Sequence, residues 1–184
     1  MSEAYNFSDP QGLYFTTSCV VDWIDLFTRP AYKEIIVDSL KHCQTNKGLN
    51  IHAWCLMPSH LHMIVSAKEG ASLSGCFRDF KKFTNLEIID TMEHRINESR
   101  KEWLLERFSS NAEPLQRITN YKVWQDGNQP KWLKTNEFIK QKLDYIHDNP
   151  VVEGIVDEPE HYLYSSARDY YAGKKGLIDI DFLY

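Results

Sequence analysis

The chain is 184 residues long with a formal net charge of −5; 42% of its residues are hydrophobic and 26% charged. That length bounds one domain with a real core, and the composition is globular rather than disordered or fibrous. No run of about 18 apolar residues occurs and the first residues lack a basic-then-apolar leader, so the sequence reads as a cytoplasmic protein with no membrane partner.

The four cysteines, Cys19, Cys43, Cys55 and Cys76, include no Cys-x-x-Cys pair, which argues against thiolate zinc and against a disulfide framework. An acidic total argues mildly against a nucleic-acid partner, but the charge is uneven. Residues 71–150 hold 13 basic and 12 acidic side chains, whereas 151–184 hold 3 and 7. The middle of the chain can therefore form a local basic face.

Leu13 to Val21, rich in aromatic and β-branched residues, predicts a first strand. Pro30 opens a helix through about Thr45, and Gly48 ends it. Leu49 to Met57 predicts strand two, with Ile51, Ala53, Cys55 and Met57 on one face; Pro58-Ser59 then turns the chain into strand three, His60 to Ala67. Ser72 or Ser74 caps a long helix with Phe77, Phe80, Phe83, Leu86 and Ile89 on its apolar side. A charged helical stretch from Glu93 to Phe108 has no evident partner in a minimal domain, and residues 109–118 read as loop. Tyr121–Gln125 predicts strand four, and Thr135 begins a helix that Asn149-Pro150 stops. A short helix over Tyr162–Tyr171 and a strand at Leu177–Ile180 fill an extension of about residues 151–184. The order describes one α+β domain, 1–184, of ferredoxin-like type with a core of about 13–150. Two helices cover one face of an antiparallel sheet, and the helix after strand four docks on the other.

Strand alternation puts His60 and His62 on the face opposite Leu61, Met63 and Val65. Two imidazoles so spaced can converge on one divalent ion, which needs a third ligand. Taken alone, the pair reads more simply as two ordinary histidines on a half-exposed strand. On the docking helix Ile139, Leu143 and Ile146 form the packing stripe, and Tyr145 and Asn149, four apart, sit one above the other on its shoulder. Asn149 can offer an amide oxygen to a hard cation, and Tyr145 can attack a metal-polarised phosphodiester. Singly, Tyr145 is a core-edge aromatic and Asn149 a helix terminator. Arg78, Lys81 and Lys82 are candidate DNA contacts or a solvated helix face; Lys131, Lys134, Lys140 and Lys142 flank the tyrosine and are candidate phosphate contacts. Trp124 and Trp132 are stacking candidates or core residues, and His147 falls on a different side of its helix from Tyr145, with no assigned role.

Ala53-Trp54-Cys55-Leu56-Met57-Pro58-Ser59-His60-Leu61-His62-Met63-Ile64 resembles the His-hydrophobe-His segment of single-strand transposases. Lys142 to Val151 is similar to the tyrosine segment of their REP-associated branch, and Val123–Gly127 and Tyr164–Arg168 to its flanking segments, so the resemblance runs over about residues 13–180. It implies a metal-dependent nuclease and strand transferase of the single-tyrosine HUH type, acting on single-stranded DNA near hairpin-forming repeats. Tyr145 would form a 5′-phosphotyrosine and release a 3′-hydroxyl, while His60, His62 and Asn149 match the ligands of a magnesium or manganese ion. The extra C-terminal segment suits a monomer better than the intertwined dimers among relatives. Gln129 stands where many relatives carry histidine, so the resemblance assigns no accessory role there. Two other functions fit the same residues: a catalytically idle DNA- or RNA-hairpin-binding module, and a zinc or iron protein using His60 and His62.

Overall fold

The computed structural model describes residues 7–112 and 120–183. Strands β1 (Tyr14–Cys19), β2 (Leu49–Leu56), β3 (His60–Ala67) and β4 (Lys131–Trp132) form one antiparallel sheet in the order β2-β3-β1-β4. Helix α1 (Pro30–Asn46) joins β1 to β2, and α2 (Leu73–Asp90) follows β3, which is the predicted ferredoxin-like order. Local chemistry sets the ends. Pro30 takes the first position of α1, and Gly48, at φ +69°, turns the chain out of it. Ser72 Oγ accepts from the Gly75 N–H to cap α2.

Leu61, Met63 and Val65 of β3 point into the main core, with Ile36 and Leu40 of α1 and Phe77 and Phe80 of α2. On the other face Ile64 joins Phe15, Ala53 and Cys55 in a smaller core under Leu143 and Ile146 of α4 (Asn136–Val152). Between α2 and α4 in the chain, α3 (Lys101–Ala112) adds Leu104 and Phe108 to the main core. The chain after α4 runs along the open edge of β2. Leu56 N–H donates to Tyr164 O, Ser166 N–H to Trp54 O, and Asp181 N–H to Ile51 O, before and after the short α5 (Ala167–Tyr171). That covers a strand edge that would otherwise pair with another chain. Among the described residues no helix is long and apolar enough to cross a membrane.

The structure corrects several expectations. Strand four is not Tyr121–Gln125. Val20 bridges Trp124 and Phe15 pairs with Lys131, so five steps along β1 are met by seven along this edge. Two extra residues bulge out near Gly127 (φ +73°) and Gln129 (φ +44°), and the regular ladder survives only at Lys131–Trp132. Asn149-Pro150 does not stop α4. Pro150 falls in the last turn, where it forfeits only the bond to Ile146, and the helix runs on to Val152 before Gly154 at φ +69°. A register shift between Ile51 and Ala53 puts Ile51 on the same face as Trp54 and Leu56. Phe83 and Leu86 are exposed, because the buried stripe of α2 runs through Cys76, Phe80 and Thr84. Residues 109–112 are helical, and the rest of the expected loop, 113–118, lies outside the described residues. Leu177–Ile180 forms no strand.

Candidate active site

Pairing of β1 with β3 sets Cys19 opposite His60 and Thr17 opposite His62. The two imidazoles share a face, with ring centroids 4.5 Å apart. His62 is 4% exposed, stacks on Phe15 at 5.3 Å, and places Nδ1 2.9 Å from Thr17 Oγ1. His60 places Nδ1 3.1 Å from Ser59 Oγ. With Nδ1 of each ring so held, Nε2 is the atom left to face a ligand, as in rings oriented by an outer hydrogen bond. Burial pushes His62 down to about 3, with the charges of His60 and Lys142 acting the same way and the Thr16 carbonyl opposing. Burial pushes His60 down to about 4, with Asp25 opposing. Both rings are therefore neutral near pH 7, the form that ligates metal.

Thr135 Oγ1 caps α4 by accepting from the Phe138 N–H, and Leu143 and Ile146 seat the helix on the sheet. That seating brings Tyr145 over the histidines. Its ring stands edge-on to His62 at 5.3 Å and to Phe15 at 5.9 Å, while the residue stays 46% exposed. Lys142 Nζ lies 5.0 Å from the Tyr145 ring centre and 4.9 Å from that of Phe15. Asn149, one turn beyond Tyr145, is buried, and its side chain makes no hydrogen bond among the described residues. No group of three His, Cys, Asp or Glu suited to a metal occurs among the described residues. The Asn149 amide oxygen is a donor of the kind that could join two imidazoles on a hard cation. Two imidazole nitrogens and one neutral oxygen fit a divalent ion that draws its remaining ligands from phosphate and water.

The other predicted residues separate. Lys81 points inward: its ammonium donates to the carbonyls of Gln125 (3.0 Å) and Gly127, and burial pushes its pKa down to about 8. It pins the bulged edge and has little to offer a phosphate. Arg78 pairs with Asp79 at 3.0 Å, and Lys82 is exposed beside Phe83, both on the helix layer away from Tyr145. There a groove of about 820 Å³ between α1 and α2 is lined by Lys82 but by none of His60, His62, Tyr145 and Asn149. Lys131 is exposed on β4, Lys134 Nζ sits 3.9 Å over the Trp132 ring, and Lys140 pairs with Asp144 at 2.7 Å. Trp124 is buried, its indole N–H donating to Thr84 Oγ1. Gln129 is exposed in the bulge.

Three features lacked a sequence signal. His147 is fully buried, with Nε2 2.8 Å from Ser166 Oγ and Nδ1 2.9 Å from the Tyr171 hydroxyl, and so fastens α4 to the C-terminal extension. Thr17 orients His62 from a neighbouring strand, a pairing that strand register alone creates. Trp23 stands edge-on to His60 at 5.4 Å from a turn of irregular backbone.

Comparison with known proteins bears on the family and the fold. No curated protein matches the sequence. One solved structure, that of a REP-associated tyrosine transposase bound to a REP hairpin, is 20% identical with a TM-score of 0.62, over 100% of this chain and 94% of that one, which is a likeness of fold. A Deinococcus radiodurans R1 protein described as a candidate transposase is 13% identical with a TM-score of 0.47, over 81% of this chain and 97% of that one. The family described as "Transposase IS200 like" matches residues 22–121, a stretch that includes His60 and His62 and ends before α4. With more than half of its length under that one description, the chain belongs to the IS200-like transposase family.

Proposed function

We propose that the protein nicks and rejoins single-stranded DNA beside hairpin-forming repeats, as a REP-associated member of its family, with Tyr145 as the nucleophile. The observation that carries this reading is the meeting of a half-exposed Tyr145 on α4 with the His60–His62 pair on β3, at 5.3 Å from His62. A hairpin as the substrate is supported by the REP hairpin in the structure of similar fold.

In this chemistry Tyr145 Oη bonds to phosphorus as the bond from phosphorus to the 3′ oxygen breaks. The phenol gives up its proton, the 3′ oxygen gains one, and the 5′-phosphate remains on the tyrosine. A later 3′-hydroxyl reverses the exchange and joins a strand with no outside energy source. His62 and Phe15 fix the direction of the phenol by edge-on contact, so attack starts from an aligned ring. The Lys142 ammonium sets positive charge beside the approaching phosphate, and Lys131 and Lys134 extend it along the sheet edge. His60, His62 and Asn149 would hold a magnesium or manganese ion, which when bound supplies Lewis-acid polarisation of the phosphate. Tyr145 meets His62 of its own chain, an arrangement that suits a monomer.

Incubation with a hairpin-bearing oligonucleotide and Mn2+ or Mg2+ tests the reading. A covalent protein–DNA adduct should form, and should vanish with EDTA and with Tyr145→Phe. Equal cleavage by wild type and Tyr145→Phe would remove Tyr145 from the role. Salt-sensitive hairpin binding with no product from wild type would leave a binding module instead.

A further inference from the structure

Trp23 is 55% exposed beside His60, and it occupies a backbone conformation that tryptophan rarely takes. Asp22 and Trp23 both have φ of +55°. Left-handed angles disfavour any residue with a Cβ and make a bulky one an outlier. Glycine or asparagine would close this turn with less strain, and neither would leave an indole in water. The one ring contact of Trp23 among the described residues is the edge of His60, so packing of the fold gives little reason for tryptophan at this position.

The turn is held in place from α3. Asp22 takes an ion pair from Arg107 at 2.8 Å and a hydrogen bond from Asn111 at 3.1 Å. Further along the same loop, Arg100 donates to the Asp25 carbonyl at 3.0 Å, and Arg29 pairs with the buried Glu98 at 2.7 Å. The charged segment that a minimal domain would not need, α3 with Glu98 and Arg100 just before it, therefore clamps residues 22–29, and that loop presents Trp23 to His60. Trp132, the exposed indole on β4, is already engaged by Tyr14 at 6.2 Å and by Lys134 at 3.9 Å.

We propose that Trp23 is a stacking platform for an unpaired base next to the scissile phosphate, on the His60 side of the site, with α3 as the device that positions it. The inference rests on the single-stranded DNA reading above and adds the class of contact, a flat nucleobase taken by its face. Every base has such a face, so the platform fixes the strand without choosing its sequence. A strained turn is found where the surrounding structure over-determines it, and α3 supplies that determination here.

Photocrosslinking separates this inference from the nuclease reading. The probe is a DNA hairpin with dT tails carrying 5-iodouracil at one position at a time, irradiated with the Tyr145→Phe protein so that it is bound without being cut. Crosslinks should concentrate on the Trp23 peptide at one tail position. Trp23→Ala should lose them and bind the tail about five- to 150-fold more weakly, with Trp23→Phe recovering much of the loss. Trp23→Gly should keep or raise Tm while losing the crosslink, a split that a merely packed tryptophan would not produce. A fall in Tm with Trp23→Gly, crosslinks confined to other residues, or wild-type tail binding by Trp23→Ala would each overturn the proposal. Adduct formation by wild type is scored separately. An adduct without a Trp23 crosslink keeps the nuclease and ends the platform, a Trp23 crosslink without an adduct does the reverse, and the absence of both ends both.

Discussion

His62 and His147 lie on the same side of the sheet, one under α4 and one within it, at 4% and 0% exposure. Burial pushes both pKa values down, to about 3 and about 4, so protonation does not distinguish them. Their partners do. His147 is held through both nitrogens, by Ser166 Oγ and the Tyr171 hydroxyl. His62 is held through Nδ1 by Thr17, and its ring meets the exposed Tyr145. An imidazole with both nitrogens satisfied inside the protein joins two elements. One held by a single nitrogen beside an exposed phenol is oriented for something that arrives from outside.

Removing each ring should separate the two roles. His62→Ala should lower adduct formation by about a thousandfold or more, while costing roughly 1–2 kcal/mol of stability for the small cavity and the unpaired Thr17 hydroxyl. His147→Ala should do the opposite. It strands Ser166 and Tyr171 and opens a cavity in a fully closed site, for about 2–4 kcal/mol, or a Tm lower by roughly 5–15 °C. Cleavage per folded molecule should stay within about threefold of wild type. Thermal melts and adduct assays on both variants, at a temperature where both are folded, give the four numbers. If His147→Ala lost cleavage while keeping its Tm, the division by partners would be wrong.

Partners should also outweigh burial for a charge. Glu98 is 4% exposed, and burial pushes its carboxyl up. The backbone N–H and guanidinium of Arg100, with the guanidinium of Arg29, overcome that and hold it below its ordinary range. A carboxyl with a lower pKa folded than unfolded gives stability that is present above the ordinary carboxylate range and lost as pH falls through the folded value. Glu98→Gln should therefore be about 1–2 kcal/mol less stable at pH 7, with the gap to wild type narrowing at pH 3. Denaturant titrations at the two pH values measure the gap, and an unchanged gap would mean that Glu98 acts by shape rather than charge.

What could be read in advance follows how local each cause is. The bounds of β3, the facing of Leu61, Met63 and Val65, and the stacking of Tyr145 over Asn149 on one helix all come from periods of two and 3.6 residues, which any short window shows. The bulged edge between Trp124 and Lys131 has no such period, because each extra residue flips the alternation that would reveal it. Phe83 and Leu86 sit near the apolar face by spacing, but the packing of α1 on α2 decides which side of that arc closes. His147 looked idle because its partners, Ser166 and Tyr171, reach it only after the extension has wrapped β2. The same holds for α3, whose purpose is legible only once Arg107 and Asn111 are seen on Asp22.

Lys142 gives the smallest contrast, since it stands beside Tyr145 without, among the described residues, a hydrogen bond that would commit it to the fold. Its ammonium sits over the rings of Tyr145, Phe15 and Phe138, and burial, then the charge of Lys131, push its pKa down. The folded protein alone thus gains little from that charge. Lys142→Met keeps a long stem against Phe15 and removes the ammonium, so stability should hold or rise slightly. Cleavage should fall by about three- to tenfold, mostly through weaker oligonucleotide binding, and the slope of log affinity against log salt should become shallower by about one. Adduct formation and tail binding from 50 to 200 mM NaCl would show it. A loss as deep as that of His62→Ala, with an unchanged salt slope, would move Lys142 from holding the phosphate to taking part in its transfer.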